Sequence, residues 1–280
     1  MKLLIMASAW TFGSLEACIA QAAHGCFDGV EGPAPRDATA CRALRTRLSD
    51  DGMPFLGEVC TGGDYAPASR VPEAEHLEQF ERQLDSALAA GAFLVNCLTG
   101  SDSWPLAQCI DYFGRVLELS ASAGAEVTFE THRGRPTFNP WSTRELLRAL
   151  PALQLTCDFS HWCVVCERLV DDPEALQPAI ERARHVHARV GYAQGPQVPD
   201  PRAPEYAAEL SQHERWWSAI WQSAQRRGLR VLTMTPEFGP DGYLHEAPFS
   251  KLPVADLAEI NTWMAKRQRA HFNTQHGASS

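Results

Sequence analysis

Gln154-Leu155-Thr156-Cys157-Asp158-Phe159-Ser160-His161 reads as a short buried strand that ends abruptly in a carboxylate, a hydroxyl and an imidazole. Three other stretches share that pattern. Val127-Thr128-Phe129-Glu130-Thr131-His132 lies before it, and His185-Val186-His187-Ala188-Arg189 and Thr233-Met234-Thr235-Pro236-Glu237-Phe238-Gly239-Pro240 lie after it. Working outward, short apolar runs alternate with longer amphipathic stretches along the whole chain. Strands are predicted at 2–9, 29–32, 54–60, 93–98, 126–130, 154–158, 185–189 and 230–235, with helical patterns such as 73–90, 106–123, 204–227 and 254–269 between and after them. Runs such as Phe93-Leu94-Val95 suit parallel strands buried on both faces. Eight βα units in series predict an α/β fold, a closed (β/α)8 TIM barrel, as one domain over residues 1–270 with a polar tail at 271–280.

Composition narrows the partners. The chain has 280 residues, 45% of them hydrophobic, enough for a sizeable core, and a formal charge of −9. That charge repels a phosphate backbone, which argues against nucleic acid. Nine cysteines at irregular spacings do not form a disulfide framework, so a reduced, cytoplasmic compartment is expected. The apolar run Met1–Ala7 is short and leads into Trp10-Thr11-Phe12-Gly13, which fits a first strand better than a signal peptide. No stretch reaches the ~18 apolar residues of a membrane span.

In an α/β barrel the active site lies where the strands end. Glu130, Asp158, His187 and Glu237 occupy the ends of strands five to eight. One strand-end carboxylate alone would more often be a helix cap or turn residue. Four such groups on consecutive strands, ~4.8 Å apart, can converge. Three clustered carboxylates repel one another, and a divalent cation removes that penalty. Oxygen-rich ligation with one imidazole suits Mn²⁺ or Mg²⁺, with Co²⁺, Fe²⁺ and Zn²⁺ also admissible. His185 faces the same side as His187, one layer deeper, and is expected to pack in the core.

These residues resemble the xylose-isomerase-like barrels, a family of sugar isomerases and epimerases, inosose dehydratase and endonuclease IV-type enzymes. The specific likeness lies in Phe129-Glu130, Asp158-Phe159-Ser160-His161, His185-Val186-His187 and Pro236-Glu237. Carried over from the ketose epimerases, it implies one metal on Glu130, Asp158, His187 and Glu237. It further implies proton transfer by Glu130 and Glu237, a substrate contact by His161, and a dimeric or tetrameric assembly. The implied partner is a small carbohydrate-like molecule. A metal that chelates a hydroxyl and a carbonyl acidifies the neighbouring C–H and holds the enediolate, so two flanking carboxylates can move the proton. Isomerisation, epimerisation and loss of a β-hydroxyl, as in inosose or dehydroshikimate dehydratases, all remain open on this ligand set.

The segment after His187 departs from the ketose-epimerase pattern. It lacks the expected Glu and runs into a Pro-rich loop, Asp200-Pro201-Arg202-Ala203-Pro204-Glu205, expected to cover substrate. The early strand ends offer Glu31, Glu58 and Asn96 but no His, which disfavours the multi-metal phosphodiesterase branch. His132, Arg133 and Arg135 after strand five, and Arg189 and Arg202 after strand seven, suit recognition of a phosphate or carboxylate. Trp10 and Trp104, with Phe12, are placed to line a pocket wall. Cys163-Val164-Val165-Cys166 has no second CxxC and is expected to begin a helix as small buried side chains.

Overall fold

A computed structural model describes residues 1–68, 70–240 and 242–276. Its eight strands close in sequence order into a barrel. They are β1 Lys2–Ser8, β2 Gly29–Pro33, β3 Phe55–Cys60, β4 Leu94–Leu98, β5 Val127–Glu130, β6 Leu155–Cys157, β7 Ala183–His187 and β8 Val231–Thr235. The helices are α1 Ala9–Phe12, α2 Leu15–Ala22, α3 Ala38–Asp50, α4 Glu73–Ala89, α5 Leu106–Ser122, α6 Pro140–Ala149, α7 Phe159–Val165, α8 Pro173–Arg182, α9 Ala207–Arg226 and α10 Leu257–His276. A short 3-10 turn, Pro204–Tyr206, precedes α9. The predicted (β/α)8 TIM barrel is the observed fold. Among the described residues no helix is long and apolar enough to cross a membrane.

The chain packs as two compact units. The first holds residues 1–30, 158–171 and 186 onward. In it β1 runs parallel to β8, with Lys2 opposite Val231 and Ile5 opposite Met234. Helix α9 buries a stripe of Trp216, Trp217, Ile220, Trp221 and Ala224 at helical spacing. Helix α10 ends beside that stripe, where the ring centroids of Phe272 and Trp221 lie 5.4 Å apart. That contact keeps 271–276 helical where a polar tail was expected, and residues 277–280 lie outside the described residues.

The second unit holds residues 31–157 and 172–185. There β3, β4, β5 and β6 pair in parallel, with Glu58 opposite Asn96, Asn96 opposite Thr128, and Glu130 opposite Thr156. A Cβ on Gly57 would stand 2.8 Å from the Ala87 Cβ, so glycine lets α4 lie close against β3. Asn139 before Pro140 and Asp172 before Pro173 cap α6 and α8, each pairing an N-cap acceptor with proline at the first helical position. Strand seven begins and ends two residues earlier than predicted, so His187 is its last residue and Arg189 lies beyond it.

Candidate metal centre

Each sequence-predicted ligand sits at the C-terminal end of its strand. Glu130 closes β5 and His187 closes β7. Asp158 follows β6 directly, and Glu237 lies two residues past β8. The ligand atoms of these four residues all lie within 4.8 Å of one another. An ion bound at about 2.0–2.4 Å needs opposite ligands no more than ~4.8 Å apart. His187 Nδ1 stands 2.9 Å from Glu237 Oε2, the spacing of neighbouring ligands around one ion. The donor set therefore fits a divalent cation.

Asp158 does two jobs. It is the N-cap of α7, where its Oδ1 accepts from the Ser160 N–H at 3.0 Å and the Ser160 hydroxyl at 2.5 Å. Its Oδ2 accepts from Arg189 Nη2 at 2.5 Å. The same Nη2 lies 2.6 Å from His161 Nε2. A guanidinium only donates, so His161 must accept through Nε2, and its neutral ring carries the proton on Nδ1. Arg189 Nη1 is 3.9 Å from Glu237 Oε2. Three carboxylates and one guanidinium leave two net negative charges, which a divalent ion would cancel.

Glu130 is buried, and Asn96 of β4 donates Nδ2–H to its Oε2 at 2.9 Å. Below it, the hydroxyls of Thr128 and Thr156 are 2.7 Å apart. In the sequence Asn96 was legible as an early strand-end residue, without a role toward Glu130. His132 and His161 also offer ligand atoms within 4.8 Å of Glu130. The His132 Nδ1 pairs with the Arg133 carbonyl at 2.5 Å, and its ring centroid lies 6.4 Å from that of Tyr65. His185 is fully buried, with Nε2 3.2 Å from Glu31 Oε2.

The arginines divide sharply. Arg135 is 1% exposed and faces inward. It donates to the carbonyls of Thr61 at 2.9 Å, Gly100 at 3.0 Å, Tyr65 at 3.0 Å and Asp64 at 2.6 Å. Burial lowers its pKa from the ordinary guanidinium value. Arg202 is bidentate to Asp200, with Nε–Oδ1 at 2.9 Å and Nη2–Oδ2 at 2.7 Å, and reaches Glu259 at 3.6 Å. Its pKa is raised, chiefly by the hydrogen bond to Asp200. Arg133 is half-buried beside His132, and Arg189 lies among the ligands.

Trp10 is half-buried and lies flat over Gly239, where any Cβ would enter its ring. Tyr243 meets Trp10 edge-on at 5.2 Å, and the Arg189 guanidinium sits 4.7 Å from the Tyr243 ring centre. No sequence pattern marked Tyr243, which belongs to an irregular loop. Trp104 instead packs in the second unit, 5.1 Å from both His76 and Tyr112. Cys163 lies inside α7 and Cys166 caps its end, so the CxxC closes that helix where it was expected to begin one. Burial pushes both thiols up, which suits packing and not nucleophilic chemistry.

A family model described as xylose isomerase-like TIM barrel matches residues 19–191. Among solved structures, D-allulose 3-epimerase from Methylomonas sp. is 12% identical at a TM-score of 0.61, covering 96% of this chain and 97% of its own. The probable 3-DHS dehydratase of petrobactin synthesis from Bacillus anthracis is 18% identical at 0.62, covering 96% and 99%. A putative sugar phosphate isomerase/epimerase from Anabaena variabilis is 15% identical at 0.63, covering 98% and 99%. At these identities the likeness is one of fold. No curated protein matches the sequence.

Proposed function

Because the chain belongs to the xylose isomerase-like TIM-barrel family, we propose that it is a divalent-metal-dependent isomerase or epimerase of a small sugar or sugar-derived hydroxy-carbonyl compound. The observation that carries this reading is the cluster of Glu130, Asp158, His187 and Glu237, with two glutamates among the four. Oxygen-rich donors favour Mn²⁺ or Mg²⁺. When bound, the ion would chelate adjacent substrate oxygens, acidify the intervening C–H and neutralise the enediolate.

The protein's own groups supply the rest. Glu130 takes the proton, its carboxylate oriented by Asn96. Glu237 returns a proton from the other side of the bound substrate. His161, held by Arg189 as the Nδ1–H form, donates a hydrogen bond to a substrate oxygen. Trp10 and Tyr243 give an apolar flank to the sugar's C–H face. An anionic substituent would rest on Arg133, since Arg135 is turned onto loop carbonyls and Arg189 and Arg202 onto carboxylates.

The test is metal content together with solvent-deuterium incorporation into candidate ketoses and keto acids. Glu130→Gln and Glu237→Gln are expected to retain the fold and lose exchange. A metal-free native protein, or full activity in both variants, overturns the proposal. A dehydratase reading on the same residues is supported by the likeness to the B. anthracis enzyme. Product mass separates the two, because dehydration loses one water and isomerisation none.

A further inference from the structure

The backbone that follows Glu237 is gripped by two buried carboxamides. Asn261 of α10 accepts from the Phe238 N–H at 2.9 Å and donates to the Phe238 carbonyl at 2.8 Å. Gln197, in the loop after β7, accepts from the Gly239 N–H at 2.8 Å and donates to the Gly239 carbonyl at 3.3 Å. Both side chains are buried, Asn261 at 0% exposure and Gln197 at 1%. Each reproduces the two-point pairing a neighbouring strand would offer, at residues where the β8 ladder has already ended. Thr11 adds a hydroxyl donor to the Phe238 carbonyl at 3.0 Å. Asn261 Nδ2 also donates to the Leu257 carbonyl at 2.8 Å, so its amide cannot be turned over without losing three bonds.

The loop that carries Gln197 is itself fixed. Val198 N–H donates to the Val190 carbonyl at 2.8 Å, and Tyr192 and Gly195 exchange backbone bonds of 2.9 and 3.2 Å. At its start, a Cβ on Gly191 would stand 2.6 Å from the Ser160 Cα and carbonyl oxygen, so only glycine lets the loop lie this close. The loop thus starts at Arg189, which hydrogen-bonds Asp158, and through Gln197 meets Gly239, two residues beyond Glu237. It touches the supports of two metal-ligand candidates, at Gly191 and at Gln197.

We infer that Gln197 and Asn261 are positioning residues for the Glu237 carboxylate, and that the inner leg of the loop after β7 is a brace between ligand-bearing segments. Glu237 stands on irregular backbone two residues past the end of its strand. Tying Phe238 and Gly239 down on its C-terminal side fixes where the carboxylate stands. The consequence at the ion rests on the metal-centre reading, whereas the backbone clamp does not.

The experiment joins amide hydrogen exchange of the metal-free chain with calorimetric titration of Mn²⁺, on the wild type and on Gln197→Leu, Gln197→Glu and Asn261→Asp. Wild-type Phe238 and Gly239 amides are expected to exchange slowly. Gln197→Leu is expected to speed Gly239 exchange and weaken Mn²⁺ binding about 10–100-fold, the range seen when a partner behind a metal ligand is removed. Gln197→Glu and Asn261→Asp keep the acceptor for the backbone N–H but lose the donors to the carbonyls, and should give exchange faster than the wild type and slower than Gln197→Leu. Should Gln197→Leu fail to fold, these two milder variants against the wild type still decide the clamp by their Gly239 and Phe238 exchange. Fast exchange in the wild type overturns the inference. So does Mn²⁺ affinity in Gln197→Leu within about twofold of wild type, where a 10–100-fold loss is expected, while Gly239 exchange accelerates. If the wild type binds no Mn²⁺, the metal-centre reading fails and the role toward the ion fails with it, and the exchange data alone decide the clamp.

Discussion

Replacing Arg135 with methionine separates an anion-binding role from a structural one. The guanidinium holds four carbonyls, those of Thr61, Asp64, Tyr65 and Gly100, and so ties the loops after β3 and β4 to the loop after β5. Methionine keeps most of the aliphatic stem and removes every donor. A hydrogen bond from a charged group contributes about 1.5–3 kcal/mol. The four share one side chain and are not additive, and carbonyls near the barrel mouth regain some water, so the expected loss is about 3–5 kcal/mol. With about 2.1 cal/mol/K of unfolding entropy per residue, a chain of 280 residues should lose about 5–8 °C in Tm. Differential scanning calorimetry of the metal-free protein reads that shift, and Mn²⁺ titration reads the site. Mn²⁺ affinity should change far less than in a ligand variant, because Arg135 donates to carbonyls and to no ligand carboxylate in this set. An unchanged Tm with a tenfold rise in KM for an anionic substrate would refute the clamp and restore Arg135 to the substrate.

Three further outcomes are expected. His76 and His213 are buried and held down to about 4, chiefly by burial. The unfolded chain therefore takes up protons near pH 6.5 that the folded chain refuses, so stability is full above that pH and falls as pH drops toward about 4. Chemical denaturation across that window should show the slope and His213→Gln should reduce it; a flat profile contradicts the burial argument. Saturating Mn²⁺ at 100 times its Kd should add about 2.7 kcal/mol of stability, which EDTA reverses, and no thermal shift with any of the admissible metals would count against the centre. Gly239→Ala places a methyl inside the Trp10 ring, so it should cost about 1–3 kcal/mol and alter near-UV circular dichroism. An unaltered spectrum would show that Trp10 does not rest there.

The ligand candidates were legible because a parallel barrel gathers its strand ends on one face, so position along the chain stands in for position in space. Strand seven shows the limit of that reading. His185-Val186-His187 opens the strand predicted at 185–189, yet the strand ends at His187 and Arg189 turns toward Asp158 and His161. The five basic and imidazole residues after strands five and seven looked alike as a string. What separates Arg135 from Arg133 is the set of loop carbonyls it meets, contributed by residues up to 74 positions away. Gln197 and Asn261 escaped notice, and Asn96 was noted at a strand end without a role, for a related reason. An amide side chain has no charge pattern or period, and its worth depends wholly on which backbone groups stand unpaired nearby.

Asp158 begins α7 as well as facing the other ligands. Asparagine caps a helix as well as aspartate does, so Asp158→Asn should strip the centre of a charge while leaving the helix start intact. The barrel and its chemistry are therefore separable by one atom exchange at this residue. A descendant of this chain would lose the proposed metal site and keep its shape, and a scaffold built on it would take a different ligand without being refolded around the loss.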